Sequence, residues 1–161
     1  MLTAARLKEL LVYDPAIGEF RWLQSRGKAK KGSVAGSGTP NGYTVIRIDP
    51  RNYYAHRLAF LYMDAEWPQC EVDHVNGART DNRWVNLRDV DVATNVQNKH
   101  VPHRNNKLGL LGVSWHAAKR KYRAGIDTFG KKIHLGYFSD PNAAHQAYLS
   151  AKRAMHPGCT I

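Results

Sequence analysis

Residues 71–98 read EVDHVNGARTDNRWVNLRDVDVATNVQN, and the order of elements in this stretch decides the fold. Residues 71–75 have the composition of a short strand. Asn76-Gly77 is a strong turn signal, and Asp81-Asn82-Arg83 is a second polar bend. Residues 87–90 then predict a second strand, and residues 92–99 a helix with Asp91 as its N-cap. The predicted order is strand, loop, strand, helix. The same stretch sets Asp73 beside His74, Asn86 in the middle and Asn95 near the end. It combines a carboxylate, an imidazole and two amides.

Upstream, residues 3–13 predict an amphipathic helix, with Thr3 as N-cap and Leu7, Leu10 and Leu11 on one face. Asp14-Pro15 ends it, because a residue before proline is biased away from helical geometry. Ile17-Gly18 turns into a strand over residues 19–22. Residues 24–41 carry four glycines and four basic residues, Arg26, Lys28, Lys30 and Lys31. They form either a solvated connector or a loop that touches phosphate. Residues 43–48 and 53–55 predict a hairpin around the turn at 49–52, followed by a helix over 56–65. His56 and Arg57 open that helix; both are candidates for a phosphate contact, and a structural role for His56 is the alternative.

Downstream, residues 100–109 are polar and basic and read as a linker. Residues 110–161 then form a second module of three short strands and one helix, capped by Ser139 or Asp140 with Pro141 early in it. Between Lys99 and His134 stand nine Lys or Arg and one acid, Asp127. A small sheet with one face on a helix can offer its other face, carrying Trp115, Arg123 and the lysines, to a DNA groove. A solvated basic face without a partner is the alternative.

The whole chain has 161 residues and a net charge of +11, which points to a polyanionic partner. Its 43% hydrophobic content is that of a folded protein, and its length suits one domain or two small ones. No run of about 18 apolar residues exists, so no transmembrane helix is expected. The N-terminus lacks the apolar core of a signal peptide. Two cysteines, Cys70 and Cys159, cannot build a disulfide framework or a four-sulfur zinc site. These features predict a soluble protein of a reducing compartment, with no membrane and no obligate protein partner.

Asp73 and Asn95 supply hard oxygen donors suited to Mg²⁺ or Mn²⁺, which retain waters and accept phosphate oxygens. A neutral His74 can take a proton from water near neutral pH. Strict pleating sends adjacent side chains to opposite faces, so Asp73 and His74 converge only where the strand bends or ends. The bland alternative is a surface Asp-His pair in an Asn-rich turn region.

The segments EVDHVNG, DNRWVNLR and TNVQN resemble the HNH endonuclease motif in the variant whose last position is Asn. The stretch before them resembles the segment that precedes this motif in phage and intron-encoded homing-type members. The resemblance implies a ββα-metal core within residues 68–99, Mg²⁺ or Mn²⁺ on Asp73 and Asn95, His74 as general base, and Asn86 holding the loop. Asn82 and Asn98 match supporting positions. Residues from Gly112 to Tyr148 resemble the Apetala (ethylene-response-factor) DNA-binding domain. By position that likeness implies DNA contacts from Trp115, Arg120, Lys121, Arg123, Lys132 and His134; Arg57 joins the expected DNA contacts separately, from its place at the start of the helix over 56–65.

The expected fold is α+β: an N-terminal region plus nuclease domain over 1–99, a linker over 100–109 and a DNA-binding domain over 110–161. The expected function is a metal-dependent endonuclease that nicks double-stranded DNA, in the cytoplasm of a bacterial host if phage-encoded. The rival from another class is a non-catalytic, sequence-specific DNA-binding regulator with a degenerate HNH core. An RNA-binding protein is a weaker third reading, because the sheet module lacks paired aromatics for stacking bases.

Overall fold

The computed structural model describes all 161 residues, and the chain mixes helices with small antiparallel sheets, an α+β composition. It divides into two compact units, residues 1–91 and 92–161. No helix is long and apolar enough to cross a membrane.

In the first unit, α1 (Ala4–Leu10) begins at Thr3, whose hydroxyl accepts the Arg6 N–H at 3.2 Å. The helix stops earlier than its leucine spacing suggests. Residues Leu11–Asp14 form strand β1, with Leu11 and Tyr13 buried and Val12 and Asp14 exposed. A leucine pair at 10 and 11 satisfies either period. Pairing with β2 (Glu19–Trp22) settles the choice, setting Leu11 against Trp22 and Tyr13 against Phe20.

Gly18 turns this hairpin at φ +76°. A Cβ there would lie 2.4 Å from the backbone of Asn82 and Arg83, so only glycine permits the approach. Tyr13 Oη donates to Asn82 O at 2.6 Å, and Trp84 N donates to Pro15 O at 3.0 Å. The hairpin therefore braces the loop that carries Asn82.

The glycine-rich region holds a two-residue strand, β3 (Ser37–Gly38), which extends a sheet with β4 (Thr44–Ile48) and β5 (Arg51–Tyr54). Lys28, Lys30 and Lys31 face solvent, while Arg26 pairs with Asp49 at 2.8 Å. Helix α2 (Ala55–Met63) follows β5 directly and buries Leu58, Ala59 and Leu61. Its inward face packs with α1, β4 and β5 around Phe20, Ile46 and Ile48. The unit closes with the hairpin β6 (Glu71–His74) and β7 (Leu87–Val90), in which Val72 and Leu87 reach the same core.

The second unit starts with α3 (Val92–Gln97), two residues shorter than the sequence suggests. Its sheet runs in the order β10 (Lys131–Phe138), β9 (Lys121–Thr128), β8 (Val113–His116). Helix α4 (Pro141–Met155) covers one face of all three strands. Asp140 caps it, accepting from Asn142 N at 3.2 Å and Ala143 N at 3.0 Å, with Pro141 at the first position.

The division falls before α3, whereas the sequence places it after residue 99. Long-range bonds explain the difference. Gly158 N donates to Gln97 Oε1 at 3.3 Å, and Thr160 Oγ1 donates to Asn98 Oδ1 at 2.6 Å. The buried Lys152 ammonium donates to Lys99 O at 2.5 Å. The C-terminal tail and α4 thus hold the end of α3 within the second unit.

Candidate active site

His74 ends β6, opposite Leu87, and is only 4% exposed. Burial pushes its imidazole below the usual histidine range. The Asn82 hydrogen bond and the charges of Asp73 and Asp81 oppose that shift, while Arg79 adds to it. The ring is therefore neutral around pH 7. Its Nε2 faces Asn82 Oδ1 at 3.4 Å, a long contact, and Asn82 Nδ2 donates to Thr80 O at 3.2 Å. With the amide so oriented, the contact suits the tautomer protonated at Nε2.

Asp73 lies opposite Arg88 in the ladder. Arg88 Nε and one terminal nitrogen both reach Asp73 Oδ2, at 2.9 and 2.7 Å. The carboxylate is 7% exposed and pairs with the Arg88 guanidinium through one oxygen. Arg88 was not singled out from the sequence; the signal was present, since a strand–turn–strand reading with the right register places it across from Asp73.

Asn86 organises the loop between the strands. Its Oδ1 accepts Asn76 N–H at 2.9 Å and its Nδ2 donates to Asp81 O at 2.7 Å. Its carbonyl accepts Val75 N–H at 2.9 Å, so one buried residue joins β6, the loop and β7. Asp81 is held further by Arg83 and by Asn76 Nδ2, and its carboxyl is pulled down to about 2, chiefly by the Arg83 hydrogen bond.

Two aromatic neighbours of His74, His56 and Tyr43, were not placed beside it by the sequence reading. The His74 ring lies 5.2 Å from His56, edge to face, and 6.0 Å from Tyr43. His56 is buried, its Nδ1 lacks a partner, and burial drives its basicity down to about 3. It is a neutral wall of the site and not a phosphate contact. Arg57 also turns inward, donating to Cys70 O at 3.3 Å and Pro68 O at 3.4 Å. Those bonds commit its fork to backbone carbonyls.

The hairpin thus gathers Asp73, His74, Asn82 and Asn86. Asn95 sits on α3, in the second unit.

On the second unit's sheet, cross-strand register sorts the expected DNA contacts by face. Val113 pairs with Ala124, and both pack with Ala144 of α4. Trp115 is two residues from Val113 and pairs with Tyr122, its ring 4.9 Å away, so it shares the helix-side face although half exposed. Arg123, paired with Ser114, lies on the opposite face. The expectation that Trp115 and Arg123 share one face is therefore corrected. Arg123 is joined there by Lys121, Lys132 and His134, all exposed, and by Tyr137. Arg120 occupies a left-handed turn between β8 and β9 at φ 49°. A shallow groove of about 310 Å³ runs across this outer face above Gly125, with Arg123, Lys132 and His134 along it.

Comparison with known proteins bears on the first of these regions. A family model described as HNH endonuclease matches residues 53–97, a segment that takes in His56, Asp73, His74, Asn86 and Asn95. The matched segment stops short of the sheet module. Comparisons with curated proteins and with solved structures find no match.

Proposed function

We propose that the chain is a metal-dependent DNA endonuclease in which His74 is the general base. The observation that carries this reading is a buried, neutral imidazole, facing Asn82 and adjacent to an Asp73 paired with Arg88, inside the segment similar to HNH endonucleases. A base that is unprotonated at neutral pH and oriented by a hydrogen bond on its far nitrogen is suited to deprotonating water.

Asp73 and Asn95 are the residues that would hold the metal. Their donor types fit a hard divalent cation, Mg²⁺ or Mn²⁺: one carboxylate and one amide oxygen. The two Arg88 bonds land on Oδ2, a geometry that aims the carboxylate. No group of three or more His, Cys, Asp or Glu stands where it could hold a metal ion, and water and phosphate oxygens would complete the shell. Bound there, the cation would supply charge stabilisation to the phosphate and the leaving oxygen.

His74 takes the proton of the attacking water at Nδ1, and Asn82 keeps the opposite nitrogen protonated. Asn86 holds the loop so that β6 presents His74 at its end. The products carry 5′-phosphate and 3′-hydroxyl ends, and one such site per chain corresponds to nicking. Duplex DNA lies against the outer face of the β8–β9–β10 sheet, where Lys121, Arg123, Lys132 and His134 meet phosphates and base edges. Trp115 supports the sheet from the other side through Tyr122.

The Asp73–Arg88 pair favours a second reading: an arginine that neutralises the carboxylate weakens it as a metal ligand, as in a non-catalytic DNA-binding regulator. One experiment separates the two. Supercoiled plasmid incubated with the protein and Mg²⁺ or Mn²⁺ is expected to become open circle, with chelator or His74→Ala suppressing the conversion. Retention of the plasmid without nicking rejects the enzyme.

A further inference from the structure

Arg79 belongs to the loop between β6 and β7, and its charge is handled unlike that of its neighbours. Arg83 is paired with Asp81 at 2.6 Å, and Arg88 with Asp73 at 2.7 Å. Arg57 is tied to two backbone carbonyls. Arg79 has no carboxylate within ion-pair distance. One terminal nitrogen donates to Asn41 O at 3.0 Å, and its guanidinium carbon lies 4.9 Å from the centre of the Tyr43 ring.

These two supports come from the segment before β4, so Arg79 bridges the nuclease-like hairpin to a separate sheet of the same unit. The Tyr43 ring is shared: it lies 6.0 Å from the His74 ring and 5.1 Å from His56. A cation held by a carbonyl and an aromatic face, exposed to solvent and beside the basic imidazole, still has most of its five N–H donors for an anion.

We propose that Arg79 is a further catalytic residue, whose guanidinium binds the non-bridging oxygens of the phosphate attacked beside His74. This rests on the nuclease reading. The planar fork suits two phosphate oxygens at once. Because Tyr43 and Asn41 fix the side chain beforehand, its attraction rises as negative charge grows on those oxygens in the transition state. Arg79 stabilises that charge; His74 moves the proton.

The test is plasmid nicking at saturating DNA by the wild-type protein and by Arg79→Gln and Arg79→Lys, with thermal melting of each. Arg79→Gln keeps a hydrogen-bond donor for Asn41 and packing on Tyr43, so melting is expected to stay near wild type. Its kcat is expected to fall about 100-fold, with KM changed only a few-fold. Arg79→Lys is expected to retain more activity than Arg79→Gln, because charge remains while the fork is lost. Nicking by Arg79→Gln at the wild-type rate, or a loss confined to KM, overturns the assignment and leaves the nuclease reading standing. A wild-type protein that does not nick overturns both.

Discussion

Seventeen buried apolar residues form the core cluster of the first unit, whereas that of the second consists of Val113, Ala124 and Ala144. The difference matches what the proposed function asks of each region. A general base must be held to within a fraction of an ångström, and the first unit spends a large core and a second hairpin on bracing one loop. A DNA-reading sheet needs only a firm back and an exposed basic front, which one helix and a few small side chains supply. On the proposed function, the contrast concentrates precision around residues 71–90.

Removing the base is expected to have the largest effect. His74→Ala should lower nicking by about 10²–10⁴-fold while leaving retention on duplex DNA intact, measured by plasmid conversion beside a gel-shift. Loss of both together would break the separation between the two regions.

The cores come next. Leu58→Ala, at a fully buried position of α2, should destabilise the first unit by about 2–5 kcal/mol. Gly112→Ala should cost the second unit roughly 1–3 kcal/mol, because a Cβ at φ +71° would stand 1.9 Å from the Tyr148 ring. Denaturation followed through Trp115 against Trp22, Trp67 and Trp84 distinguishes the units. Identical unfolding midpoints for both variants would merge them into one cooperative block.

Smaller effects sharpen the contrast on the DNA side. Arg123→Ala and Lys132→Ala should each weaken binding and lower the salt slope of log affinity by about one. Trp115→Phe should leave that slope unchanged, since Trp115 is on the helix-side face. A Trp115 variant with the salt slope of Arg123→Ala would return it to the DNA face.

A separate expected effect is on pH. His56 is depressed to about 3 in the folded state by burial, against about 6.5 when unfolded. The unfolded chain therefore binds more protons between those values, and stability falls as pH drops from about 6.5 toward 3. The His56 share of that slope is at most about 1.4 kcal/mol per pH unit. Melting of His56→Gln across this range should show a shallower fall; an unchanged slope would mean that His56 is not the group responsible.

Much of the hairpin was legible because its signals are local. Asn-Gly at 76–77, the polar bend at 81–83 and the short strand at 87–90 are each read within a few residues, and β6 and β7 fall where those signals put them. Thr3 and Asp140 acted as caps for the same reason. The misreadings have non-local causes. Leu11 looked helical until its partner Trp22 was known. Trp115 was placed with Arg123 by chemistry alone, and only pairing with Tyr122 reveals its face. The bonds from Gly158 and Thr160 to the end of α3 span about sixty positions and leave no mark in either segment. Arg88, His56 and Tyr43 joined the site through register and ring packing, which composition does not carry.

Everything in the catalytic reading converges on one ion. A crystal of the protein with a short DNA duplex, soaked in Mn²⁺ and measured at the manganese absorption edge, tests it most directly. The expected result is an anomalous peak about 2.0–2.6 Å from oxygens of both Asp73 and Asn95, with a DNA phosphate completing the shell and His74 beside it. A duplex bound on the sheet with no ion at Asp73, and with Asp73 and Asn95 too far apart to share one, would contradict the account.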